Sequence, residues 1–248
     1  MPAIRERMLF MLAQVDRSLA EQVGDELGLA VPAKVDGPLN RSMPADANPK
    51  DFQPGRARPM PPSPALSIAN TPNAPAPTIK TRKVAALVAD GFDAAALNAI
   101  KKALTAEGAL LKIIAPHLGA VRGEGGGEVA VDHSLRTTAS VLFDAVYVAG
   151  GDASARVLAA NADALHFVDE AFRHCKAIAA TGAGRDVLAA SYLALKGVAD
   201  PNAGDAPIVN AGVVTGGDKQ AAKVASAFVD AIAAHRHWER EADDRVPA

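Results

Sequence analysis

The sequence predicts a three-layer α/β domain: a doubly wound, mainly parallel sheet over residues 81–240, preceded by a helix and a long extended linker. From residue 81 onward, short apolar runs of strand length alternate with longer segments whose apolar residues recur at helical spacing. That texture belongs to parallel strands covered by helices on both faces. Of the 17 prolines, twelve fall between Pro32 and Pro77. Without backbone donors and with φ fixed, such a stretch forms neither a regular helix nor a central strand. Finally, 49% of the 248 residues are hydrophobic, enough for a substantial core.

Taken in order, residues 4–27 predict one helix, with Ile4, Met8, Met11, Leu12, Val15, Leu19 and Val23 on a single stripe and Gly28 as its stop. A lone amphipathic helix cannot bury its own stripe, so the segment 1–28 calls for a partner surface. Residues 29–80 predict a linker, either wrapped over a surface or mobile. Strands are expected at 83–89, 109–116, 144–149, 176–181 and 208–214. Helices are expected at 93–107, over 153–175, at 185–195 and at 219–238. The glycine-rich turn 123–127 and the alternation at 128–132 predict a small hairpin, and 241–248 is a charged tail.

Composition excludes several function classes. Aromatics make up 4% of the chain and the formal net charge is −2, which gives no stacking surface or basic field for a nucleic-acid partner. No apolar run is long enough for a membrane span, and the charged N-terminus makes a poor secretory signal. Cys175 is the one cysteine, so there is no intramolecular disulfide framework, and a cytoplasmic setting is expected.

In a doubly wound sheet, ligands sit at the carboxyl ends of the strands. Four strand-end turns qualify: 90–93, 149–152, 181–185 and 215–218. Each turn glycine also has a purely structural reading, because leaving a strand for a helix often needs positive φ or a close backbone approach. Gly182, Gly184 and Arg185 could present an anion site at a helix start. They do not make a dinucleotide fingerprint, because position 187 is Val, nor a P-loop. Cys175 precedes its strand and belongs at the opposite end of the sheet, and no Gly-x-Ser-x-Gly elbow exists. The six histidines, His117, His133, His166, His174, His235 and His237, form no convincing metal set.

Several runs carry a family resemblance. The stretches 82–96 (Arg-Lys-Val-Ala-Ala-Leu-Val-Ala-Asp-Gly-Phe-Asp-Ala-Ala-Ala), 114–119 (Ile-Ala-Pro-His-Leu-Gly), 140–151 (Ser-Val-Leu-Phe-Asp-Ala-Val-Tyr-Val-Ala-Gly-Gly) and 166–182 (His-Phe-Val-Asp-Glu-Ala-Phe-Arg-His-Cys-Lys-Ala-Ile-Ala-Ala-Thr-Gly) closely resemble the C-terminal domain of large-subunit haem catalases. Residues 4–16 resemble the last helical part of the catalase core, and Pro38-Leu-Asn40 with residues 63–67 resemble the linker into the extra domain. The resemblance implies a flavodoxin-like fold related to the class I glutamine amidotransferase and PfpI-type superfamily. Active relatives there place a cysteine at a strand-to-helix elbow, with an acidic residue and a Gly-Gly turn beside it. By that correspondence the acidic position falls on Asp93 and the Gly-Gly turn on Gly150 and Gly151. The elbow cysteine falls on Gly182, leaving Thr181 and Arg185 to complete a vestigial pocket.

The resemblance therefore implies an accessory C-terminal region, free-standing or truncated, that stabilises or assembles a catalase without a nucleophile, metal or haem of its own. Haem is implied only for a core that this chain does not contain: Tyr147 and Tyr192, the chain's two tyrosines, sit in a strand and a helix of the α/β domain. The expected partner is that core, or a second copy, through residues 1–80. Two other readings stand beside it. One is a small-molecule hydrolase or amidotransferase-like enzyme using the Asp93, Gly151 and Gly182 crevice. The other is a chaperone-like module holding unfolded clients on the stripe of Met8, Met11, Leu12, Val15 and Leu19.

Overall fold

Apolar β-strands that bury both faces form the centre of the α/β unit in the computed structural model, which describes residues 2–53, 63–66, 77–197 and 204–240. The chain divides into two compact units, residues 1–63 and 64–248.

In the first unit, α1 (Pro2–Ala13) and α2 (Arg17–Leu27) replace the single helix expected at 4–27. The break falls at Asp16, whose extended backbone and side chain, accepting from Leu19 N at 3.1 Å, restart the helix. Gly28, at φ 63°, stops α2 as expected. The break also breaks the stripe: Leu9 and Ala20 are the buried apolar side chains, while Ile4, Met8, Met11, Val15 and Leu19 are exposed. The following segment is wrapped rather than free. Arg7 donates from its guanidinium to the carbonyls of Pro38 and Leu39, and Gln53 Oε1 accepts from Leu39 N at 2.7 Å. Residues 54–62 and 67–76 of the expected linker lie outside the described residues.

The second unit is built on a seven-stranded sheet. Its strands are β1 (Lys83–Leu87), β2 (Leu110–Ala115), β5 (His133–Ser134), β6 (Ala145–Val148), β7 (Ala177–Thr181), β8 (Ile208–Asn210) and β9 (Val213–Gly216). They lie in the order β5-β2-β1-β6-β7-β9-β8, all parallel except β8. The expected hairpin is β3 (Gly119–Arg122) against β4 (Glu128–Val131). The single strand expected at 208–214 is instead an antiparallel pair, because Ala211 and Gly212 adopt positive φ of 45° and 75° and reverse the chain.

Side chains alternate across the sheet. Val84, Ala86, Tyr147, Ala179 and Val214 point into one core with α3 (Ala94–Ala106) and α7 (Ala221–Ala233). Ala85, Leu87, Val146, Ile178 and Ala180 point into the other, with α4 (Asp152–Ala159), α5 (Ala162–Arg173) and α6 (Gly184–Ala190). This is the expected three-layer architecture. The helices expected at 185–195 and 219–238 are shorter, each giving way to 3₁₀ turns, at Tyr192–Lys196 in one case and at Asp218–Gln220 and Trp238–Arg240 in the other. The tail at 241–248 lies outside the described residues.

Candidate functional site

β2 lies on one side of β1 and β6 on the other, so the strand order reverses between β1 and β6. The carboxyl ends of β1, β6, β7 and β9 therefore bring the four strand-end turns together at the topological switch point, where a doubly wound fold places its ligands.

Backbone stitches this crevice shut between β1 and β6. Asp93 N donates to Gly150 O at 2.9 Å. Gly151 adopts φ 99°, and a Cβ there would lie 2.1 Å from Gly91 O and 2.8 Å from Asp93 N, so the two turns touch main chain to main chain. Asp93, matched to the acidic position, is committed to a helix: its Oδ1 accepts from Ala95 N at 2.8 Å and Ala96 N at 3.0 Å and caps α3.

Between β6 and β7 lies a buried hydroxyl chain. Tyr147, fully buried, has its OH 2.7 Å from Thr181 Oγ1, which also accepts from Gly150 N at 3.3 Å. The Thr181 hydroxyl also acts on the Asp218 carboxylate, favouring its charged form. Either hydroxyl of the Tyr147–Thr181 pair can be the donor. Burial pushes the Tyr147 phenol well above its ordinary value and keeps it neutral.

Gly182 keeps the backbone of an elbow, with φ 47° directly after β7. The space beside it is taken. A Cβ on residue 182 would fall 2.0 Å from Asp218 Oδ2 and 2.2 Å from Oδ1, and one on Gly150 would fall 2.2 Å from Oδ1. Asp218 as a residue is exposed, yet its carboxylate lies against this backbone. That burial first, and the Asp93 carboxylate second, raise its pKa above the usual range. Arg185 does not face an open anion site: its Nε donates to Gly182 O at 3.0 Å and its Nη1 to Gly204 O at 3.3 Å, tying down both loops. Gly184 serves packing, since a Cβ would meet Val148 O at 2.6 Å.

The structure thus brings together Asp93, Gly150, Gly151, Thr181, Gly182 and Arg185, the six positions singled out in the sequence. The group the sequence reading missed is Asp218, although its turn was one of the four strand-end candidates. Cys175, just before β7, sits at the opposite end of the sheet from Thr181, as expected, buried and with φ 57°. Tyr147 is not placed to ligate a haem iron. Tyr147 is sealed between strands with its hydroxyl engaged, and Tyr192 begins a 3₁₀ turn by donating its N–H to Asp169 Oδ1 at 3.0 Å. Among the described residues, no group of three or more His, Cys, Asp or Glu is arranged to hold a metal ion.

A parallel sheet with helices on both faces and a glycine elbow at its switch point places the chain among DJ-1/ThiJ/PfpI-like folds. A ThiJ/PfpI domain protein from Brachyspira murdochii superposes with a TM-score of 0.56 at 19% identity, covering 62% of this chain and 97% of that one. Oxidised DJ-1 from Toxoplasma gondii gives 0.54 at 20% identity, covering 65% and 96%. The chain belongs to the family of C-terminal domains found in long catalases, whose profile matches residues 80–242. Catalase HPII of Mycobacterium avium is 36% identical over 100% of this chain and 32% of its own length. Catalase-2 of Bacillus subtilis is 33% identical over 96% and 29%, and Catalase HPII of Pseudomonas aeruginosa 35% over 99% and 30%. The chain therefore spans about a third of the length of the curated relatives it matches.

Proposed function

We propose that the chain acts as a non-catalytic accessory domain of a long catalase in the cytoplasm, stabilising or assembling the enzyme through residues 1–80, with neither haem nor nucleophile of its own. One observation carries the reading: the elbow position is Gly182, and the Asp218 carboxylate fills the volume where a reacting side chain would stand. The hydrolase reading gains nothing from the geometry. Thr181 is fully buried with its hydroxyl committed to Tyr147 and Gly150, and Asp93 caps α3.

The test is the haem content and peroxide turnover of the purified full chain, with pull-down of a haem-bearing catalase core from the native host. Absence of both activities and capture of the core through residues 1–80 are expected. Haem absorbance with peroxide turnover by the chain alone would overturn the reading.

A second reading rests on the N-terminal unit. Ile4 at 59%, Met8 at 52% and Val15 at 83% exposure present apolar surface suited to holding unfolded clients. Suppression of client aggregation by the full chain, lost on deleting residues 1–80, would support it; suppression that survives the deletion would remove it.

A further inference from the structure

At the amino end of the sheet, opposite the crevice, the turn from α5 into β7 meets the chain leaving α7. Together they enclose a pocket of about 360 Å³, lined by Val141, Arg173, His174, Cys175, Lys176, Arg236 and Trp238. That volume is at the lower end of small-molecule sites. Its floor is cationic. Lys176 is 3% exposed, and its ammonium donates to Ser140 O at 2.7 Å and reaches Ser140 Oγ at 3.5 Å. An ammonium has three donors, so one is left without an acceptor among the described residues. Arg236 spends Nη1 on His235 O at 2.9 Å and has no other acceptor among them.

The carboxylates that act on Lys176, Glu170 and Asp144, are engaged elsewhere. Glu170 Oε2 accepts from Ser140 N at 3.2 Å, while Asp144 accepts from Arg82 at 3.1 Å and Lys83 N at 2.9 Å. Behind the pocket Arg240, 4% exposed, stacks 4.5 Å over the Phe172 ring and donates from Nη2 to Lys176 O, its Nε and Nη1 having no acceptor among the described residues. Positive charge from Lys176, Arg236 and Arg240 is thus concentrated around one concave site, which bears Trp238 and Val141 as apolar wall.

We propose that this pocket binds a small phosphomonoester, its dianionic head held by Lys176 and Arg236 and its organic part lying against Trp238 and Val141. Phosphate suits these donors because ammonium and guanidinium groups make their strongest hydrogen bonds to such oxyanions. Cations otherwise buried against each other gain most from that charge.

Trp238 is the only tryptophan of the chain, so its fluorescence reports on this pocket alone. The full chain is titrated at fixed ionic strength with glycerol 3-phosphate, inorganic phosphate and chloride. A saturable emission change is expected with the ester, a weaker one with phosphate and none with chloride. Arg236→Gln, at a half-buried position, should weaken ester binding at least fivefold, and Lys176→Met should weaken it further. Equal affinity for inorganic phosphate would overturn the organic half of the proposal. No saturable change, or wild-type affinity in Arg236→Gln, would overturn it entirely.

Discussion

The carboxylate of Asp218 stands where a side chain on residue 182 would begin, 2.0 Å from the position of its Cβ. An elbow backbone therefore persists at Gly182 with its reactive volume filled from the neighbouring strand-end turn.

Gly182→Cys alone should not create a reactive thiol. It places a non-glycine residue at φ 47° and collides with Asp218, at a cost of about 1–3 kcal/mol. Thermal unfolding should show the loss. Adding Asp218→Ala should recover the part due to collision and leave the part due to backbone, and iodoacetamide labelling should rise only in the double variant.

Gly151→Ala should be more damaging, because its neighbours are backbone atoms that cannot swing aside. Its Cβ would lie 2.1 Å from Gly91 O and 2.8 Å from Phe92 Cα. A loss of about 3 kcal/mol or more, read from the urea midpoint, is expected. Gly125→Ala, where φ is 85° but nothing lies within 4 Å of the added Cβ, should cost only the backbone strain.

Asp218 also sets a pH dependence. Its pKa is raised in the folded state, by burial and then by Asp93. Its contribution to stability is therefore present below the unfolded value and is lost as pH rises through the folded one. Stability should decline from this source as pH rises past the ordinary carboxylate range, and Asp218→Asn should remove the decline. Parallel urea titrations of both proteins between pH 4 and 7 would show whether the curves diverge.

Lys176 gives the opposite slope at alkaline pH. Burial, then Arg236, lowers its pKa to about 8 from 10.5. The unfolded chain then holds the extra proton between those values, so stability rises through that window. The gain reaches about 3 kcal/mol. Its removal in Lys176→Met, measured as the difference between the two proteins from pH 7.5 to 10, isolates this lysine from the other groups titrating there.

The sheet was legible because its strands are continuous apolar runs: 83–89 and 176–181 contain β1 and β7 within two residues at each end. Legibility failed where a single residue redirects the chain. Asp16 looks like one polar position on a helix, and only its side-chain bond to Leu19 N reveals a restart. Ala211 reads as a strand residue, yet at φ 45° it turns the chain between β8 and β9. The crevice positions could be listed from strand ends alone. What fills them could not, since Asp218 meets Gly182 across 36 positions of sequence through strand order.

The strand order has a kinetic side. β1 pairs with β6 in register Val84 with Ala145, so the middle of the sheet cannot form until the whole intervening segment has been looped out. Among the described residues only the hairpins β3–β4 and β8–β9 are local, and both are peripheral. Parallel pairing across such separations folds slowly and leaves unpaired apolar segments exposed in the meantime. The runs Ala145–Val148 and Ala177–Thr181, wholly buried once assembled, are then the segments on which newly made chains would stick to one another.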